Sequence, residues 1–435
     1  MASNAHIRTG RLSQEELEKN FADLHPPLSR SEALIEADRC YFCFDAPCTT
    51  ACPTGIDIPG FIQKIRSDNL RGSANTILSE NIMGGMCARV CPTEILCEEA
   101  CVRNTHEEKP VEIGLLQRYS TDPVFESGDQ LFERAPSSGK TIAIVGGGPA
   151  GLSCAHRLAV LGHDVVVFNR DNKLGGLNEY GIAAYKAIND FAQTEVDYIL
   201  SIGGIEVRCN STLGSDIELD ELRENYDAVF LGIGLAQSNN LGIAGEDLDG
   251  VVNAIEYISE LRQAEDKSHL PVGRDVVVIG GGMTAIDVAV QSKRLGAEQV
   301  HIVYRRGPEQ MSASVFEQEL AQTSGVSIHH WASPARILGE DHVTGVEFDT
   351  DASEDGMRLA ADVVFKAIGQ RMDGGGVDEI ATESGRFVVD IHQKTSVDGV
   401  WAGGDCVVGG DDLTVSAVQH GKIAALSIDQ YLRDA

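Results

Sequence analysis

Eight of the eleven cysteines in the chain fall within one stretch, at Cys40, Cys43, Cys48, Cys52, Cys87, Cys91, Cys97 and Cys101. The first four read Cys-x2-Cys-x4-Cys-x3-Cys-Pro and the second four Cys-x3-Cys-Pro-x4-Cys-x3-Cys. Thiolates spaced this closely on loops can converge on a cube of iron and sulfide. Where two such clusters share a small domain, the cysteine that precedes proline serves the other cluster. Cys52-Pro53 and Cys91-Pro92 both carry that mark. The spacing therefore predicts two iron–sulfur clusters whose ligand sets lace together. A disulfide framework would require an oxidising compartment, and the chain shows no secretory signal. Zinc would favour repeated Cys-x2-Cys knuckles, and only Cys40 and Cys43 have that spacing. A helical pack of unligated thiols seldom gathers so many.

A second chemistry lies in the glycine turns. Residues 140–145 are a short β-branched run of the kind that makes a buried parallel strand. The run leads into Gly146-Gly147-Gly148-Pro149-Ala150-Gly151, an apolar helix over 152–161 and a second strand over 164–168. Strand, glycine turn, helix and strand in one short unit predict a dinucleotide pyrophosphate site. Gly146 permits the tight turn, Gly148 lets backbone approach phosphate, and Gly151 lets helix and strand pack closely. The helix N-terminus offers the positive end of its dipole to the anion. The unit recurs as strand Asp275–Ile279, turn Gly280-Gly281-Gly282-Met283-Thr284-Ala285, helix 286–295 and strand 299–304. Ala285 is an allowed small residue at the third position. Two intact units imply two dinucleotides. A later run, Val400-Trp401-Ala402-Gly403-Gly404-Asp405, precedes a helix expected over 415–431. Asp405 there suits a sugar or ribityl hydroxyl and equally suits a helix cap. Two more glycine turns, around 230–234 and 366–370, lie where the chain would cross between two dinucleotide domains.

The elements that carry the cysteines read as short helices. Ser13 with Glu16 makes a capping box for a helix through Asn20. Asp57 and Pro59 mark the start of a helix over 60–67, and another is expected over 71–79. The cysteines are expected on loops between these helices, and 121–139 reads as a polar linker. A chain of 435 residues suits two or three domains, and 43% hydrophobic content with 46 glycines suits α/β units. A formal net charge of −31 argues against nucleic acid and anionic membrane surfaces. No apolar run spans a bilayer and the first eleven residues are polar, so a cytoplasmic location is expected, in keeping with reduced thiols.

With these pieces placed, the chain resembles, along nearly its full length, the N-terminal half of dihydropyrimidine dehydrogenase and the separate bacterial small subunit of that enzyme. The glutamate synthase small subunit is a near relative. The resemblance implies an α/β fold with an α-helical iron–sulfur domain over 1–135 holding two 4Fe–4S clusters. An FAD-binding domain over 136–252 and 368–435 and an NAD(P)-binding domain over 253–367 would follow as nested Rossmann-like units. FAD would take Gly146, Gly148 and Gly151, with Asn169 where an acidic ribose-binding residue is expected. Gly175 and Gly176 would lie against the flavin, Asp405 on its ribityl chain, and Thr414 also in the flavin-binding set. The nicotinamide coenzyme would take Gly280, Gly282 and Ala285. Arg305 and Arg306 at the strand tip suit a 2′-phosphate. The bacterial subunits are mostly NADH enzymes, however, Ser312 stands where the mammalian-type pattern has a further Arg, and Glu309 adds negative charge. Both NADH and NADPH stay open.

The resemblance also implies the ligands. One cluster would take Cys40, Cys43, Cys48 and Cys101, the other Cys52, Cys91, Cys97 and Gln117, with Cys87 a non-ligand nearby. Gln117 lies in Ile113-Gly114-Leu115-Leu116-Gln117, and glutamate synthase small subunits tend to carry an acidic residue at that place. The implied function is electron input. Hydride from NAD(P)H would pass to flavin and leave as single electrons through the clusters. An FMN- and iron–sulfur-containing large subunit would then reduce uracil or thymine to the 5,6-dihydropyrimidine. No catalytic acid or base is assigned, because hydride transfer to flavin needs mainly geometry. The chain ends soon after the late flavin motif, so the pyrimidine site is expected on the partner. The alternatives are a glutamate synthase small subunit and a stand-alone NAD(P)H:ferredoxin oxidoreductase. The two intact glycine motifs argue against a cofactor-holding protein without turnover.

Overall fold

The computed structural model describes residues 6–350 and 353–434, so the first five residues of the polar start and Ala435 lie outside the described residues. Helices α1 (Gln14–Asn20) and α2 (Arg30–Asp38) each begin in a capping box, Ser13 with Glu16 and Ser29 with Glu32. Then come α3 (Pro47–Ala51), α4 (Ile58–Arg66), α5 (Leu70–Glu80), α6 (Gly84–Val90), α7 (Asn104–Glu107) and α8 (Ile113–Ser127). Asp57 caps α4 and Asn69 caps α5, each through an N–H of the first turn. Phe61, Ile62, Ile65, Ile77 and Leu116 form the buried centre of this part, and Cys40, Cys48, Cys52 and Cys101 pack against it.

Two sequence expectations change here. Cys48 lies within α3 and Cys87 within α6, not on loops. Helix α8 runs on to Ser127 and takes the start of the expected 121–139 linker, although Pro123 lies inside it. Phe125 supplies the reason. Its buried ring meets Phe191 and Tyr198 edge-on, at centroid distances of 5.4 and 5.2 Å. That burial outweighs the helix bond Pro123 cannot make. The helix stops at Gly128, whose φ of +69° is left-handed.

The first strand–turn–helix unit supplies β1 (Thr141–Val145), α9 (Pro149–Val160) and β2 (Asp164–Asn169). It continues through α10 (Leu177–Tyr180), α11 (Phe191–Leu200), β3 (Ile205–Cys209), α12 (Leu219–Asn225) and β4 (Ala228–Leu231). The second supplies β5 (Gln237–Ser238), β6 (Val251–Asn253), α13 (Ala254–Gln263), β7 (Asp275–Ile279), α14 (Met283–Arg294), β8 (Gln299–Val303), α15 (Val315–Thr323) and β9 (Ser327–His329). Strands β10 (Ala332–Gly339), β11 (Val343–Thr350) and β12 (Ser353–Ala360) form an antiparallel sheet. Last come β13 (Val363–Lys366), β14 (Gln370–Arg371), β15 (Thr382–Glu383), β16 (Arg386–Phe387), β17 (Val400–Ala402) and α16 (Thr414–Asp434).

Two five-stranded parallel sheets result, ordered β17-β4-β1-β2-β3 and β6-β13-β7-β8-β9. Their central strands are buried on both faces, which is why β1 and β7 read as unbroken apolar runs. The two crossing turns lead into β5 and β14, which pair antiparallel, Gln237 opposite Arg371. The chain divides into two compact units. One unit, Met1–Leu24 with Tyr180–Ile188 and Gln237–Arg371, holds the second sheet; the other, His25–Glu179 with Asn189–Ala236 and Met372–Ala435, holds the cysteine-bearing helices and the first sheet. Helix α1 joins the second sheet because Leu17 and Phe21 are buried in its core, and Asn20 and Arg294 exchange bonds of 2.9 and 2.8 Å. Among the described residues no helix is long and apolar enough to cross a membrane.

Candidate cofactor sites

The eight thiols gather into two neighbourhoods. Cys40, Cys43, Cys48 and Cys101 line one shared pocket, with Tyr41 and Arg103 among its walls. Burial pushes the Cys40 thiol up, with Cys101 and Cys43 adding, and pushes Cys48 up to about 11, with Cys40 and Cys101 adding. The other neighbourhood is deeper. Cys91 is pushed well up by its hydrogen bond with Cys87 and then by burial, with Cys97 and Cys52 also acting on it. Cys97 is pushed well up by burial first, and it feels both Cys52 and Cys48. Such thiols are neutral until iron takes the proton's place, so loading would release protons. Among the described residues no three His, Cys, Asp or Glu side chains are placed to hold a single metal ion. The ring of four thiols fits a wider occupant such as an iron–sulfur cube.

Gln117 stands at the edge of the deeper neighbourhood. It is 7% exposed, and its Nε2 donates to Gly84 O at 2.7 Å, at the start of the helix that carries Cys87 and ends on Cys91. That bond fixes the amide and leaves Oε1 as its remaining acceptor. Thr54 Oγ1 lies 3.3 Å from Cys52 Sγ, and Phe42 N–H points at Cys40 Sγ at 3.5 Å.

Of Gly146, Gly148 and Gly151 in the first glycine turn, two are fixed by packing and one is not. Gly146 has φ +102°, and a Cβ there would lie 2.2 Å from Gly232 O; a Cβ on Gly151 would lie 1.9 Å from Gly146 O. A Cβ on Gly148 would meet nothing nearer than Gly176 Cα at 3.7 Å. Protein packing alone does not demand glycine at 148. Helix α9 starts there with no side-chain cap, so its first N–H groups are left for an anion. Gly175 N–H donates to Gly147 O at 2.8 Å, and Gly176 (φ +54°) brings its backbone against Gly148. The residues present fit a dinucleotide pyrophosphate.

Asn169 is committed to the turn itself. Its Oδ1 accepts from Gly147 N–H at 2.9 Å, and its Nδ2 donates to Asp171 O and Lys173 O at 3.0 and 2.9 Å. With both N–H spent, only the second lone pair of Oδ1 is left for a ribose hydroxyl. Asp405 follows Gly404, and burial pushes its carboxyl up to about 6, with Asp412 adding. Thr414 opens α16 and donates its hydroxyl to Asn178 Oδ1 at 2.7 Å, just past the paired glycines.

The second turn repeats the geometry. Gly280 has φ +145° and a Cβ there would lie 2.1 Å from Ala367 O, while Ala285 is fully buried. Helix α14 starts at Gly282 without a side-chain cap, and Ser312 Oγ is 3.1 Å from where a Cβ on Gly282 would lie. Arg305 and Arg306 are exposed just beyond β8, and neither side chain has a hydrogen-bond or ion-pair partner among the described residues. Behind this turn is a feature the sequence did not announce. Lys186 Nζ lies 2.7 Å from both Asp287 Oδ1 and Glu317 Oε1, all three side chains under a tenth exposed. Glu195 was also missed. Single charged residues in mixed segments give no signal that a fold will bury them.

The comparisons with known proteins fall on the same segments. Residues 17–129 match the family described as dihydropyrimidine dehydrogenase domain II, 4Fe-4S cluster, and residues 140–421 match the pyridine nucleotide-disulphide oxidoreductase family. The NAD-dependent dihydropyrimidine dehydrogenase subunit PreT homolog of Salmonella typhi is 34% identical over 96% of this chain and 99% of its own. The glutamate synthase [NADPH] small chain of Escherichia coli is 35% identical over 95% of this chain and 94% of its own. Thioredoxin reductase of T. acidophilum shares the fold, with a TM-score of 0.56 and 21% identity over 68% of this chain and 99% of that one. An iron–sulfur domain followed by an FAD/NAD(P)-binding oxidoreductase module is thus shown. The chain belongs to the PreT-like small-subunit family of dihydropyrimidine dehydrogenase, to which the glutamate synthase small chain is related.

Proposed function

We propose that this electron-transfer flavoprotein is the electron-input subunit of an NAD(P)-dependent dihydropyrimidine dehydrogenase. Its partner would be a large subunit carrying FMN and iron–sulfur clusters, where uracil or thymine is reduced. The observation that carries the choice is Gln117. A neutral amide is anchored to Gly84 O at the start of the helix that ends on Cys91, at the position where the glutamate-making relatives resemble this stretch but tend to be acidic. When bound, FAD supplies the change from two-electron to one-electron chemistry. The chain's own part is placement. Gly146, Gly148, Gly151, Asn169, Gly175, Gly176, Asp405 and Thr414 would hold FAD, and Gly280, Gly282 and Ala285 with Arg305 and Arg306 would hold NADH or NADPH. Cys40, Cys43, Cys48 and Cys101 would hold one 4Fe–4S cluster and Cys52, Cys91, Cys97 and Gln117 the other. All four residues of the first set are partly exposed, which suits delivery to a partner; in the second, Cys97 and Gln117 are buried, which suits relay from the flavin side.

The glutamate synthase reading keeps support from an identity of 35%, level with the pyrimidine relatives. Reconstitution separates the two. The loaded chain is mixed with the large subunit of each enzyme, and NAD(P)H oxidation dependent on uracil or on glutamine plus 2-oxoglutarate is followed. Uracil-dependent turnover with the pyrimidine partner alone is expected. Turnover only with the glutamate partner, or uracil reduction by the isolated chain, would refute the assignment.

A further inference from the structure

Glu195 is a buried carboxyl that electron routing leaves without a task. It projects from α11 with no exposed surface. Its Oε1 accepts from Gly85 N–H at 2.8 Å and Met86 N–H at 3.0 Å, in the first turn of α6. Its Oε2 is buried with no hydrogen-bond partner among the described residues. Helix α6 ends on Cys91, and Cys87, next to Met86, shares a hydrogen bond with the Cys91 thiol. One carboxyl thus sits at one end of a two-turn helix and the deeper thiol set at the other.

The charges around Glu195 do not neutralise it. Arg89 of α6 attracts it and Asp122 of α8 repels it. Arg89 is already engaged: Nη1 donates to Gly85 O at 3.0 Å, Nη2 to both Asp122 oxygens at 2.9 and 3.0 Å, and its guanidinium lies 3.4 Å over the Phe191 ring. Arg118 of α8 holds Asp122 as well, at 3.1 Å. From α9, Arg157 turns to Ser79 O and His156 packs against Phe132. Burial therefore dominates, and it pushes the Glu195 carboxyl up to about 8 against the two amide bonds and Arg89.

We propose that Glu195 is the proton partner of the cluster held by Cys52, Cys91, Cys97 and Gln117. As one electron from the NAD(P)H-reduced flavin reached the cluster, Glu195 would take one proton from water at Oε2, an O–H bond of water giving way to the O–H bond of the carboxyl. Oε1 keeps both amide bonds through the change, so α6 and its Cys91 stay in place. A carboxylate and a reduced cluster in one low-dielectric region repel each other, and the proton removes that repulsion. The inference rests on the ligand reading given under Proposed function.

The test is a potentiometric titration of the cluster-loaded chain, read by electron paramagnetic resonance, at pH values either side of about 8. One cluster's midpoint is expected to fall as pH rises while the other stays flat. Glu195→Gln keeps an Oε1 acceptor for Gly85 and Met86, and it is expected to abolish the fall. Two flat clusters in the natural chain, or an unchanged slope in Glu195→Gln, would overturn the proposal. Should the variant fail to fold, the reduced-minus-oxidised infrared difference of the natural chain, recorded above about pH 8 where the oxidised state holds the carboxylate, decides. A protonated-carboxyl band that appears on reduction supports the proposal, and its absence overturns it. A chain that carries the iron and signal of one cluster only would instead overturn the ligand reading.

Discussion

Gln117→Glu changes one atom group at a buried position and adds a charge beside the deeper thiol set. The natural amide donates Nε2–H to Gly84 O at 2.7 Å, and glutamate places an oxygen there instead. Leaving the Gly84 carbonyl without its donor costs about 1–3 kcal/mol. A carboxylate that ligates iron adds one negative charge, and at roughly 5 Å with an effective dielectric of about 20 the added repulsion toward an incoming electron is about 3 kcal/mol. At about 1.4 kcal/mol and 59 mV per tenfold for a one-electron couple, that lowers the cluster's midpoint by roughly 140 mV. The fold penalty is expected at high pH and to fade as pH falls, because a protonated glutamate regains a donor for Gly84 O. Potentiometric titration of the loaded variant reads the first effect and urea unfolding at several pH values reads the second. Unchanged midpoints for both clusters, with full iron content, would refute the ligand role of Gln117.

Lys186→Met leaves Asp287 and Glu317 facing each other without their shared cation, and a loss of about 3–5 kcal/mol is expected in urea unfolding; a loss below about 1 kcal/mol would show that the trio is not a tight ion cluster. Gly148→Ala has room for its methyl, so stability should hold within about 1 kcal/mol while FAD affinity falls tenfold or more; full flavin retention through dialysis would contradict the cradle. Arg305→Ala with Arg306→Ala removes two unpaired guanidiniums, and the NADPH-to-NADH ratio of kcat/KM should fall about 10- to 100-fold. An unchanged ratio would place the 2′-phosphate elsewhere or nowhere. Glu195, with its folded-state pKa raised to about 8, contributes stability that is full below the ordinary glutamate range and lost as pH rises through that value, at most on the order of 5 kcal/mol. Glu195→Gln should flatten that part of the pH–stability curve.

The parts legible in the sequence were those that local rules govern. Ser13 and Asp57 announced their helices because a cap is a contact over three residues. The two glycine turns announced their sheets because strand, turn and helix are contiguous, and β1, β2, β7 and β8 fall where the apolar runs placed them. What was not legible depended on distant partners. The helix through 121–127 needed Phe191 and Tyr198, and the placement of α1 beside the second sheet needed Arg294. Asn169 stands where an acidic ribose-binding residue is expected, and no spacing rule reveals that its amide also bonds Gly147, Asp171 and Lys173. Lys186, Asp287 and Glu317 stand far apart in sequence and have meaning only as a trio.

The same distinction explains why the cysteine-bearing helices and the first sheet form one compact unit. Beside the packing of Phe125 on Phe191 and Tyr198, several ties between them are side chains that satisfy backbone groups. Glu195 accepts from the first turn of α6, and Arg157 of α9 donates to Ser79 O at the end of α5. Lys422 of α16 donates to Thr54 O at 3.0 Å and to Glu80 O at 3.2 Å, on either side of the segment between the cysteine groups. A helix of two turns such as α6 has too few internal bonds to persist alone. Its position, and with it that of Cys91 and Gly84, is set by α11 and α8. The deeper thiol set is therefore built by α11 and α8 as much as by its own loops. This argues that cluster and flavin sites fold as a pair, with the geometry between them fixed by buried polar contacts and not left to a linker.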